Sequence, residues 1–161
     1  MAEISVTFED GATERFPAGT SAGEALRAYA ARNHALHRVV KRAIAARVEG
    51  RDPAVVDLSR PLLVDCRLAP VAPESPEGLA VLRHSTAHLM AQAVKRLFPQ
   101  VEITIGPVIE NGFFYDFRRP EGFTPEDLAR IEETMRAIVR EDLAVQREEV
   151  PRAEAIRRFR A

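Results

Sequence analysis

The stretch Glu3-Ile4-Ser5-Val6-Thr7-Phe8, followed closely by Asp10-Gly11, decides how the front of this chain folds. Ile4, Val6 and Phe8 alternate with polar residues, which is the period of a strand with one buried face. Asp10-Gly11 predicts a tight hairpin turn, because glycine supplies the positive φ that such a turn needs. A second strand then runs from Thr13 to Phe16 and is closed by Pro17 and Gly19. Thr20 or Ser21 stands where it can cap a helix whose apolar positions Ala22, Ala25, Leu26 and Tyr29 recur at helical spacing. Short apolar runs follow at Val39-Val40, Ile44 to Val48, Val55-Val56 and Leu68 to Val71, separated by Gly50-Arg51-Asp52-Pro53 and by Ser59-Arg60-Pro61. Strand, strand, helix and further short strands within residues 1–72 predict an α+β unit of the β-grasp type.

Pro70, Pro73 and Pro76, interspersed with Ala72, Glu74 and Ser75, read as a linker, so the sequence divides into residues 1–72 and 73–161. From Glu77 to Leu97 the pattern is helical, with Leu82, Thr86, Leu89, Met90, Ala93 and Leu97 on one face and Phe98-Pro99 ending the run. Two strands, Glu102 to Ile109 and Phe113 to Phe117, are expected around a turn at Asn111-Gly112. Thr124-Pro125-Glu126-Asp127 offers a cap, a proline at the first helical position and early acids, and starts a helix to about Asp142. Leu143 to Val150 has the composition of a strand, and Pro151 opens one more helix.

The chain has 161 residues and a hydrophobic content of 46%, enough to build cores rather than a disordered segment. Its one cysteine, Cys66, excludes an internal disulfide framework. No basic start leads into a long apolar run, which reads as a cytoplasmic protein without a membrane span. The net charge is -1, and of 23 basic residues only Lys41 and Lys95 are lysine. Neither half is a basic tail, so global charge offers no argument for nucleic acid, and the arginine excess is partly a habit of composition.

Arg83-His84-Ser85-Thr86-Ala87-His88 is the most informative local feature, because two histidines four apart on a helix project from the same face. At about 100° per residue they lie opposite the Leu82/Leu89 seam and share their face with Ala91 and Lys95. An ordinary surface role and a site role both remain open at this point. A zinc protease is disfavoured, since Ser85 stands where that motif needs a glutamate, and Cys66 supplies at most one ligand of a closed zinc site.

Ile105-Gly106-Pro107 through Gly112-Phe113-Phe114-Tyr115-Asp116-Phe117 is dense in aromatic residues. Packing accounts for alternate rings, and Tyr115 and Asp116 are harder to explain in that way. Arg32, His34, His37, Arg38, Lys41, Arg42 and Arg47 form a basic stretch with no acid between Glu24 and Glu49, either an RNA contact or a solvated face.

Taken together, Arg83-His84-Ser85-Thr86-Ala87-His88-Leu89 and the Ile105 to Asp116 stretch, in this order and at this separation, resemble the start of the editing domain of threonyl-tRNA synthetases. The front, from Asp10-Gly11 through Phe16-Pro17-Ala18-Gly19-Thr20-Ser21 to Val55-Val56-Asp57-Leu58-Ser59, resembles the TGS domain that precedes editing in that family. The histidine element also occurs in alanyl-tRNA synthetases and free-standing alanyl editing proteins, but without a TGS module directly before it. The resemblance therefore implies a ubiquitin-like β-grasp (TGS) domain over 1–72 and an incomplete α+β editing domain over 73–161.

What it implies for function is a threonine–tRNA ligase that charges tRNA(Thr) using ATP and hydrolyses mischarged seryl-tRNA(Thr). A pocket distinguishes one methyl by only about 1–3 kcal/mol, so a second hydrolytic site is the expected remedy. On this resemblance His84 and His88 are the catalytic residues of the editing pocket, with no cofactor or metal held by this part. ATP, magnesium, zinc and homodimer formation belong to parts of the complete enzyme absent here. So does the C-x-x-x-H element that completes the family's editing pocket, and this part alone is expected to be inactive. The competing reading is a stand-alone module that binds RNA or a partner through its TGS domain, with the histidine helix as scaffold.

Overall fold

The computed structural model describes residues 2–160. Strands β1 (Glu3–Phe8) and β2 (Thr13–Pro17) form the expected antiparallel hairpin, with Gly11 at φ 85° in its turn. Three further strands complete a sheet, β3 (Ala45–Glu49), β4 (Ala54–Val56) and β5 (Cys66–Val71), in the order β2-β1-β5-β3-β4. β5 runs parallel to β1, with Val6 opposite Cys66 and Phe8 opposite Leu68, while β3 runs antiparallel to both β5 and β4.

Helix α1 (Ala22–Arg32) packs its buried residues into the same core as the sheet. Ser21, one of the two expected caps, starts it through a capping box: Glu24 N–H donates to Ser21 Oγ, and Ser21 N–H donates to Glu24 Oε2 at 2.9 Å. Ile4, Val6, Phe8, Leu26 and Leu68 are buried among one another, and the Phe8 and Tyr29 rings stack at 3.8 Å. Each such apolar side chain contributes about 1.5–3 kcal/mol on leaving water.

Val39-Val40, read among the short strand-like runs, lies instead in a helix, α2 (His34–Arg42). Leu36 and Val40, four apart, pack on the core while Val39 is exposed. An apolar pair is too short to reveal its period, and the helical partner of Val40 is four residues upstream.

Helix α3 (Pro76–Leu97) begins where the histidine motif requires. The proline-rich stretch before it is partly structured. Pro70 belongs to β5, and Ser75 caps the helix by accepting Gly78 N–H on its Oγ at 3.0 Å. The expected apolar face is only partly buried: Leu89, Met90, Ala93 and Leu97 join a core, whereas Leu82 is 41% exposed and Ala87 and Ala91 are buried.

Beyond α3 the long hairpin is interrupted. β6 (Glu102–Ile103) pairs with β9 (Phe117–Arg118), and β7 (Val108–Ile109) with β8 (Gly112–Phe113). Pro107 lacks a backbone donor, so the ladder breaks between these pieces. Helix α4 (Pro125–Glu141) has the expected capping box, formed by Thr124 and Asp127. The expected strand from Leu143 to Val150 does not form; these residues are all exposed, and they lead into α5 (Arg152–Arg160). Apolar composition without a strand edge to pair with leaves the backbone to water.

The chain divides into two compact units. One holds the chain through His88 together with Thr104–Asp116, and the other holds Leu89–Ile103 and the chain from Phe117 onward. The proline-rich stretch thus lies inside the first unit, and the division falls within α3. The second unit has its own core of Ala93, Val94, Val101, Ile131 and Ile138, ringed by Phe98, Phe117 and Phe123.

Candidate functional site

His84 and His88 emerge one turn apart from α3, both exposed. Their rings meet edge to face with centroids 4.5 Å apart, and the two Nε2 atoms are 3.1 Å apart. A hydrogen bond at that distance requires one Nε2 to carry a proton and the other to present a lone pair. The geometry thus brings one Nε2 as donor and the other as acceptor to a single point on the helix face.

Thr86, between them, turns its hydroxyl back to the Leu82 carbonyl at 2.7 Å. Ala87, next to His88 in the chain, is fully buried, while the two histidines are exposed.

Arg83, immediately before His84, reaches across to the aromatic hairpin, where Nη1 donates to the Glu110 carbonyl at 2.8 Å. This bond ties the histidine segment to the β7–β8 turn. Arg83 stood in the sequence motif without a role, and nothing in its spacing distinguished it from the other arginines.

The hairpin between residues 104 and 116 is held by backbone bonds where its strands are interrupted. Asp116 N–H donates to the Ile105 carbonyl at 2.9 Å, and Thr104 Oγ1 donates to the Asp116 carbonyl at 2.6 Å. Tyr115 is half-buried with its ring against Gly106, while the Asp116 side chain is exposed. Phe114 is exposed as well, and Phe117 belongs to the second unit's core.

The basic stretch resolves into paired and unpaired members. Arg32 pairs with Glu14, Arg42 with Glu74, and Arg47 with Glu9 and Glu77. Among the described residues, His37, Arg38 and Lys41 have no carboxylate partner. No group of three or more His, Cys, Asp or Glu side chains among the described residues is placed to hold a metal ion, and no helix there is long and apolar enough to cross a membrane.

No protein-family model matches the chain. Curated relatives do. A threonine–tRNA ligase of Citrifermentans bemidjiense is 46% identical over 160 residues, which is 99% of this chain and 24% of the relative. One from a Geobacillus species is 45% identical over 156 residues, 97% of this chain and 23% of the relative. One from Nitrosococcus oceani is 51% identical over 122 residues, 76% of this chain and 18% of the relative. The chain thus spans about a quarter, or less, of the length of the relatives it matches.

Proposed function

This chain belongs to the threonine–tRNA ligase family, as an N-terminal portion of it, and from that premise we propose that it is the RNA-facing front of an enzyme that charges tRNA(Thr) and clears mischarged serine. In this reading residues 1–72 are a β-grasp TGS domain. The sheet order β2-β1-β5-β3-β4, with its parallel central pair and α1 packed on the sheet, supports that assignment. Residues 73–161 are the first part of the editing domain. The protein works in the cytoplasm on tRNA(Thr), and the complete enzyme is a homodimer.

The observation that carries the editing role is the His84–His88 contact on an exposed helix face. A water molecule that replaces the direct bond between the rings donates a hydrogen bond to the unprotonated Nε2 and accepts one from the other. The first imidazole then acts as general base while the water oxygen attacks the ester carbonyl carbon of seryl-tRNA(Thr). The ester C–O bond breaks, the terminal ribose oxygen takes up a proton, and serine leaves as the free acid. Imidazole suits this task near neutral pH. Arg83 contributes by holding the hairpin turn beside the pair.

Aminoacylation itself needs ATP and magnesium, and zinc serves it in the complete enzyme. The side chains described here include no metal-ligating group of three, so they do not fit such a centre and no step is assigned to one. This chain alone is expected to activate no threonine and to leave seryl-tRNA(Thr) intact.

The test uses full-length ligase carrying His84→Ala and His88→Ala together. Deacylation of preformed seryl-tRNA(Thr) should be lost while threonine charging is retained. Deacylation at the parental rate would make the histidines scaffold, and parallel loss of charging would indicate misfolding.

A further inference from the structure

Between α1 and α2 lies an open groove of about 410 Å³, distinct from the histidine face. This is within the range of about 300–1,000 Å³ occupied by small-molecule sites. Its floor is apolar and fixed. Leu26 and Ala30 are buried in α1, Val40 faces them from α2, and the Leu58 carbonyl closes one end by accepting Gly23 N–H at 2.8 Å. A Cβ at position 23 would stand 3.0 Å from that carbonyl, so the glycine permits the close approach.

Arg27 lines the groove from α1, and His37 and Lys41 line it from α2, one turn apart. The lining contains no carboxylate. Among the described residues none of the three forms an ion pair, and Arg27 acts on Glu24 only as a through-space charge. Most neighbouring arginines, by contrast, are neutralised: Arg32, Arg42 and Arg47 all hold carboxylates. Positive charge without a partner is therefore concentrated on both helices that wall one apolar slot.

We propose that this groove seats one nucleotide of a single-stranded RNA, with the base on the apolar floor and the flanking phosphates against Arg27 on one helix and His37 and Lys41 on the other. A ligand with a single anionic end would use the cations of one wall only. An amphipathic helix needs a row of apolar anchors several turns long, which a slot of this volume does not provide. A phosphodiester strand alternates anion, apolar ring and anion, matching the order found across the groove. Single-stranded RNA is required because a base reaches the floor only when it is free of a duplex stack.

The inference rests on the chain facing RNA. It needs neither tRNA(Thr) nor the histidine pair, so its failure is separable from failure of the editing reading. The experiment is fluorescence anisotropy of the 161-residue chain with a labelled, unstructured oligoribonucleotide, followed across a salt series. Saturable binding is expected. Arg27→Ala and Lys41→Ala should each weaken it severalfold and lower the slope of log K against log salt by roughly one. Ala31→Trp, which fills the groove from an exposed position without changing charge, should abolish it, while Arg51→Ala, off the groove, should leave it unchanged. Binding unaffected by Ala31→Trp would overturn the site in favour of a diffuse basic face. Equal displacement by free AMP or by polyglutamate would reassign the groove to a mononucleotide or an acidic peptide, and no binding at low salt would end the proposal.

Discussion

The Tyr115 ring lies so close to Gly106 that a Cβ on residue 106 would stand 2.1 Å from Tyr115 Cδ2 and 2.8 Å from Cγ. Because Cγ is near the root of the side chain, a small rotation of the ring cannot relieve the clash. Gly106→Ala should therefore expel Tyr115 and loosen the hairpin over residues 104–116, at a cost of about 1–3 kcal/mol to that segment. The near-ultraviolet tyrosine signal and the amide exchange of Asp116 report it. Unchanged protection at Asp116 would show that the ring has another seat.

Asp127 responds to acid with a definite sign. Its carboxylate accepts from Arg119 Nη1 at 2.7 Å and from the Thr124 backbone, and both bonds hold its pKa below the ordinary 3.8. Stability from this group is fully present above 3.8 and is lost as pH falls through the lowered folded value. Thermal unfolding of the chain should show a falling midpoint on the acid side. Asp127→Asn should lower the midpoint at neutral pH and flatten that acid limb. An unaltered acid limb would mean that the Arg119 pair is not maintained in solution.

Much of this architecture was legible because local signals agreed with it. The alternation at Ile4, Val6 and Phe8, the Asp10-Gly11 turn, the Ser21 cap and the Thr124-Pro125 start each name an element without reference to distant residues. Two misreadings concern strands. Val39-Val40 and Leu143 to Val150 have strand-like composition, but whether they become strands depends on a partner edge that sequence does not display. The histidine pair was legible from its four-residue spacing, whereas the Arg83–Glu110 bond joins residues 27 apart through a backbone carbonyl, which has no sequence signature. The expected apolar face of α3 holds at Leu89, Met90, Ala93 and Leu97 but not at Leu82, which is 41% exposed while Ala87 and Ala91 are buried; helical spacing gives the direction of a face and not which part of it meets a partner.

Cys66 gives a test of the first unit's core. It sits in β5 opposite Val6, is 8% exposed, and burial pushes its thiol above the ordinary range. The thiolate is the reactive form, so native chain should react slowly with a disulfide reagent at neutral pH and rapidly once denatured. Equally fast reaction in both states would mean that β5 opens readily from the sheet.

The segment between β5 and α3 is expected to act as a strap rather than a hinge. Gly78 is buried, and a Cβ there would fall 2.0 Å from the Ala72 carbonyl oxygen, a backbone atom that cannot rotate away. Ser75 donates its hydroxyl to the same carbonyl at 2.8 Å, and Arg47 Nη1, from the sheet, holds Glu77 at 2.9 Å. Gly78→Ala should therefore displace the first turn of α3, accelerating amide exchange at Leu79 to Val81 while leaving Ala93 and Val94 protected. Arg47→Ala should act in the same direction more weakly, since its side chain is 38% exposed and such pairs contribute only about 0.2–1 kcal/mol. Exchange that is uniform along α3 in both variants would show that the helix start is not fastened to the sheet, and the proline-rich stretch would then be a free joint.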